Sequence, residues 1–218
     1  MQKIMFNDRY GLTDAVIDYI KNNTRRIEGG EQFQRAATSA EDFTYEEATG
    51  CIVMCCQGIE IFRHKCRYKV GEVVAVAQRY CTILNELENP ANYYCMEHWE
   101  QDNGLRAEYA GMMFDPGYNN KLFARAEMMP HQIRIKGVRC ERLQDISDED
   151  CMKEGVVDVT YFKSGGRPYE LFALPGHEYE ETFNTPRQAF AALIDKVCGR
   201  GTWDLNPWVV AYEFELVK

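Results

Sequence analysis

Ile20-Lys21-Asn22-Asn23-Thr24-Arg25-Arg26 closes the first apolar-periodic segment of the chain and packs three cations into six residues. Upstream, Ala15, Val16, Ile17 and Ile20 recur at helical spacing, and Thr13 can cap the first turn. The pattern predicts a helix that runs into this stretch. Asn22-Asn23 is expected to end it, because asparagine tolerates the left-handed conformation. Thr24 to Arg26 then leave the helix. Lys21 and Thr24 are three residues apart, so they share a face if the helix extends that far.

Working outward, Lys3 to Phe6 reads as a short strand and Asn7 to Gly11 as a turn. Residues 28 to 50 are polar and glycine-punctuated, which predicts a surface loop. Cys51 to Gln57 and Ile59 to His64 flank Gly58 as a hairpin would. The apolar run Val73 to Tyr80 predicts a central strand. Ile133, Ile135 and Val138 alternate with charged residues, as in a half-exposed strand. Ser147 caps a short helix that ends at Glu154-Gly155. Thr185-Pro186 opens a longer helix expected to bury Phe190, Ala191, Leu193, Ile194 and Val197, and Trp208 to Val217 ends the chain as a strand. No internal repeat, linker or low-complexity tract interrupts it, so one α+β domain spanning residues 1–218 is expected.

A chain of 218 residues with 45% hydrophobic content can bury a core without disulfides or metal. The nine cysteines (51, 55, 56, 66, 81, 95, 140, 151 and 198) form no regular framework, and no C-x-x-C pair exists among them. They are expected to be free thiols in a cytoplasmic, reducing setting, with no metal and no cofactor. Met1 to Tyr10 does not read as a signal peptide, and no apolar run is long enough to span a membrane. The net charge of −9 argues against coating long nucleic acid. Charge is nonetheless uneven: residues 81–118 carry seven acids against Arg106, whereas residues 119–142 carry six bases against Glu127 and Glu141. A small ligand or a short RNA suits this balance better than a long polymer. Within 81–118, Tyr93, Tyr94, Trp99, Tyr109 and Tyr118 read as a small satellite core, with base stacking as the alternative.

Three ordered pieces carry a resemblance. The first is Lys21-x-x-Thr24-x-Arg26, with Tyr19 where the pattern has glycine. The second runs from Val138-Arg139-Cys140-Glu141-Arg142-Leu143 through Asp148-Glu149-Asp150 to Glu154-Gly155. The third is Trp203-Asp204-x-Asn206-Pro207-Trp208 leading into Tyr212-Glu213-Phe214. Together they resemble the ASCH domain family of the PUA-like superfamily, particularly its longer phage and prophage members. The resemblance implies a mixed-strand β-barrel with flanking helices. Residues of about 28–66 and 81–118 would be insertions in it.

It also implies nucleobase or RNA recognition, because small members remove the acyl group from N4-acetylcytidine. By that likeness Lys21, Thr24 and Glu154 are the candidate catalytic residues, and Arg25, Arg26, Gln78 and Trp208 the candidate substrate-binding residues. Gln78 stands where longer members carry glutamate. In such a site Lys21, its pKa lowered by Arg25 and Arg26, would activate the Thr24 hydroxyl, and Glu154 would protonate the leaving amine. Two other functions remain open: a non-catalytic RNA-binding module, and a ribonuclease that needs no metal. The bland alternative is that Lys21 and Glu154 are ordinary helix-end residues.

Overall fold

A computed structural model describes residues 1–88, 104, 106–162 and 168–217, and they divide into two compact units. The first unit takes Met1–Phe6 and Val74–Gln132; the second takes Asn7–Val73 and Ile133–Val217. Strands pair both in parallel and antiparallel, and helices accompany them, so the class is α+β with mixed pairing. Among the described residues no ring of strands closes into a barrel.

In the first unit β1 (Lys3–Ile4) pairs in parallel with β6 (Val73–Val76). The apolar run continues as Ala77, but the strand stops at Val76, and Tyr80 opens α3 (Tyr80–Glu88) instead of ending the strand. Tyr80, Ile83, Leu84, Tyr109, Ala124 and Met129 form a core there, with Tyr118 packed against it. Tyr109 and Tyr118 therefore sit in a satellite core, while Tyr93, Tyr94 and Trp99 lie outside the described residues.

The second unit is built on three antiparallel strands in the order β7 (Gln132–Arg142), β13 (Trp208–Leu216), β2 (Asn23–Arg26). A separate antiparallel sheet, β3 (Asp42–Glu46), β4 (Cys51–Cys56) and β5 (Ile59–Lys65), contains the expected hairpin. The stretch 28–50 is not the loop that its polarity predicted. It holds α2 (Gly30–Ser39) as well as β3. This helix buries only Phe33 and Ala37, spaced one turn apart, so its sequence shows almost no apolar stripe. Its Gln34 amide brackets the start of β13, accepting from the Trp208 N–H at 2.8 Å and donating to the Trp208 carbonyl at 2.7 Å. The two capped helices form where expected: α4 (Asp148–Lys153) behind Ser147, and α5 (Pro186–Cys198) behind Thr185. A short turn of helix, α6 (Thr202–Leu205), precedes β13.

The segment after β11 (Phe172–Ala173) is tied to the N-terminal turn by His177. Its Nδ1 lies 2.8 Å from a Glu180 carboxylate oxygen and its Nε2 lies 2.8 Å from the Arg9 carbonyl. Both partners are acceptors, so both ring nitrogens must donate, which only the imidazolium can do. The Arg9 carbonyl and then Glu180 accordingly raise the His177 pKa above 6.5. A raised folded-state pKa contributes stability that is complete below pH 6.5 and disappears as pH rises through the folded value. Melting temperature measured from pH 5.5 to 9 is expected to fall across that window, and His177→Gln should flatten the fall.

Candidate functional site

Two helix ends place the central pair. Helix α1 (Leu12–Ile17) stops in a Schellman turn: Tyr19 N–H bonds the Val16 carbonyl at 3.2 Å, and Ile20 N–H bonds the Ala15 carbonyl at 2.9 Å. Tyr19 occupies the left-handed position of that turn with φ 61°, while its ring is 75% exposed. Helix α4 stops the same way, with Gly155 at φ 105° and bonds from Gly155 N–H to Met152 and from Val156 N–H to Cys151. Lys21 lies two residues past the first left-handed residue, and Glu154 directly precedes the second. Lys21 N–H is held by the Ala15 carbonyl at 2.8 Å, and Asn22 N–H by the Lys153 carbonyl at 2.9 Å, so the two turns face each other. Gly155 rests on the Lys21 stem, since a Cβ there would lie 3.6 Å from Lys21 Cβ.

Lys21 and Glu154, 133 residues apart, then meet: Nζ is 2.6 Å from Glu154 Oε2 and 2.7 Å from the Glu154 carbonyl. Arg25 completes the cluster. Its Nε reaches Glu141 Oε1 at 2.6 Å, one terminal nitrogen reaches Glu154 Oε1 at 2.9 Å, and the other reaches Asp150 Oδ2 at 2.9 Å. Arg139 closes the ring by binding Glu141 at 2.7 Å and also Asp150. The Arg25 side chain is wholly buried, and those of Lys21 and Glu154 nearly so. Three cations thus face three carboxylates. Burial lowers the Lys21 pKa, with Glu154 opposing the shift and Arg26 and Arg25 adding to it. Burial also works against the Arg25 charge, but Glu154, Glu141 and Asp150 outweigh it and hold the guanidinium protonated.

Thr24 is elsewhere. The helix ends at Ile17, so Lys21 and Thr24 share no helical face. Thr24 lies in β2, where side chains alternate between faces. Asn23 and Arg25 take the face of the ion network. Thr24 and Arg26 take the opposite face, opposite Tyr212 and Val210 of β13. The Thr24 hydroxyl makes no hydrogen bond among the described residues, and the residue is buried. Trp208 falls on this second face too, in register with Arg142 of β7. The Arg142 guanidinium lies 4.6 Å from the Trp208 ring centre, and Phe43 packs at 4.8 Å on the same indole. The structure therefore joins Lys21, Arg25 and Glu154 in one cluster and sets Thr24, Arg26 and Trp208 on the other side of the sheet.

Gln78 belongs to the other unit. It is buried, its amide donates to Glu86 at 3.2 Å, and its carbonyl oxygen has no partner among the described residues. Glu141 and Asp150 were not singled out as site residues from sequence, and Arg139 only as part of a basic strip with Arg125 and Arg134. Alternation along β7 gives Arg139 and Glu141 a common face, but only the register through β13 puts that face with Arg25. No three His, Cys, Asp or Glu side chains among the described residues converge as a metal site would. No helix among them is long and apolar enough to cross a membrane. No family model, curated protein or solved structure matches the chain.

Four variants test this arrangement. Glu154→Gln strands two buried cations, and a loss of about 3 kcal/mol is expected by chemical denaturation. Asp150 is held below its usual 3.8: burial opposes the charge, and the Arg25 hydrogen bond with the charges of Arg139 and Lys153 prevails. Its contribution is present above pH 3.8 and is lost as pH falls through the folded value, so Asp150→Asn should flatten the acid limb of the stability curve. Tyr19→Gly should stabilise by up to ~1 kcal/mol by relieving left-handed strain, whereas Gly155→Ala should cost ~1 kcal/mol or more.

Proposed function

We propose that this chain is a nucleobase- or short-RNA-recognising domain of the ASCH type, on a PUA-like fold, working in the cytoplasm as a binding module. The observation that carries this reading is the alternation along β2. It commits Lys21 and Arg25 to a charge-balanced, sealed network and leaves Arg26 on the face of Trp208 and Arg142. A half-buried indole beside the Arg142 guanidinium, with Arg26 on the same face of the sheet, suits stacking on an unpaired base and contact with a phosphate. The Lys21–Arg25–Glu154 network acts behind it by fixing β2. Single strands suit the net charge of −9 better than duplex does, because the cationic surface is confined.

The amidohydrolase reading rests on a different observation. Lys21 has its pKa lowered by burial and touches Glu154 at 2.6 Å, an arrangement able to move a proton. Thr24 works against it, since it lies across the strand from that pair.

One set of measurements separates the two. Purified protein is titrated with short single-stranded RNAs and incubated with N4-acetylcytidine. A binding module gives saturable RNA binding that Arg26→Ala and Trp208→Ala each weaken about tenfold, with no cytidine released. Release of cytidine that Lys21→Ala abolishes would establish the hydrolase instead. Metal-independent RNA cleavage lost in the same variant would establish the ribonuclease.

A further inference from the structure

A recess lies in the same unit as β2 and shares no residue with the β2 face. It encloses about 560 Å³ and is lined by Thr160, Tyr161, Leu171, Glu178, Tyr179 and Thr182, together with Val159. Two walls build it. On one side Val159 N–H bonds the Leu171 carbonyl at 2.9 Å, and the Tyr161 ring lies flat against Tyr169, with centroids 5.4 Å apart and planes 9° apart. The opposite wall is the segment 178–182, which His177 clasps to the Arg9 carbonyl. Glu178 itself is positioned: one carboxylate oxygen accepts from the Gly176 N–H at 2.9 Å, and the side chain is only partly exposed.

The chemistry of this lining is one-sided. Among the described residues it offers two tyrosine rings, aliphatic surface, two threonine hydroxyls and one carboxylate, with no lysine or arginine. Exposed Glu170, Glu180 and Glu181 stand next to lining residues in the chain; Glu181 is paired with Lys196 at 2.6 Å and Glu180 with His177 at 2.8 Å. A carboxylate in the same recess as an exposed aromatic ring disfavours anions and selects cations that can lie over that ring. A planar guanidinium fits better than a compact ammonium, because it stacks on tyrosine and donates to a carboxylate in the same plane.

We propose that this cleft binds a guanidinium group on a short apolar stem, stacked against Tyr161 and neutralised by Glu178. The stem lies along Leu171 and Val159. The group can come from a free small molecule or from an arginine side chain of a peptide.

N-acetyl-arginine amide, and its neutral isostere N-acetyl-citrulline amide, test the proposal by calorimetry and by NMR of the tyrosine rings of the full chain. Saturable binding of the arginine compound is expected, with the citrulline compound about tenfold weaker or worse. Glu178→Gln and Tyr161→Ala should each weaken it about tenfold, Tyr161→Phe should restore it, and added salt should reduce it. Far-UV circular dichroism establishes that each variant is folded, and the conservative Glu178→Gln at a partly exposed position keeps the test valid if Tyr161→Ala is not folded. Equal affinity for citrulline, unchanged affinity in folded Glu178→Gln, or no saturable binding overturns the proposal. A short arginine-bearing peptide that binds more tightly than the amide identifies a peptide as the source; equal affinity identifies the free compound.

Discussion

Arg25 is an ion with no access to water, and that constraint organises the second unit. A guanidinium held in the interior is tolerable only when its donors are met by acceptors in fixed directions. Here Glu141 from β7, Asp150 from α4 and Glu154 from the end of α4 meet it together. Removing any one leaves an uncompensated charge indoors. The geometry of β2, β7 and α4 is therefore coupled through one side chain.

The backbone around this cluster is arranged to serve it. Two helices stop in the same kind of turn, and each stop delivers one member of the Lys21–Glu154 pair. One turn uses glycine, which accepts positive φ at no steric cost. The other uses Tyr19, which does not, and the ring is left in solvent. The position where the resembled pattern has glycine is thus the left-handed residue of the first turn. What Tyr19 changes there is backbone strain and surface. The buried pair forms without its ring.

The same sheet then presents two unlike faces. One is occupied by balanced charge and the other carries Thr24, Arg26, Trp208 and Arg142. A motif that reads as a single cationic cluster along the chain is divided by the two-residue period of a strand. This division separates the Thr24 hydroxyl from the Lys21 ammonium, which lie on opposite sides of the sheet.

The sequence by itself determined the elements with strong local signals: the capped helices at Ser147 and Thr185, the hairpin around Gly58 and the final strand. Helix α2 escaped because Phe33 and Ala37 are its only buried residues, and the strand after Val73 was read too long because Tyr80 is equally apolar in a helix. Glu154 was named as a partner of Lys21 through resemblance, and the 2.6 Å contact gives that pairing a physical form. Only the tertiary structure decided that Thr24 faces away from both, that Arg25 is the hub, and that Asp150 and Glu141 complete it. These depend on a strand's register and on side chains 116 to 133 residues apart along the chain, separations over which local propensity carries no information.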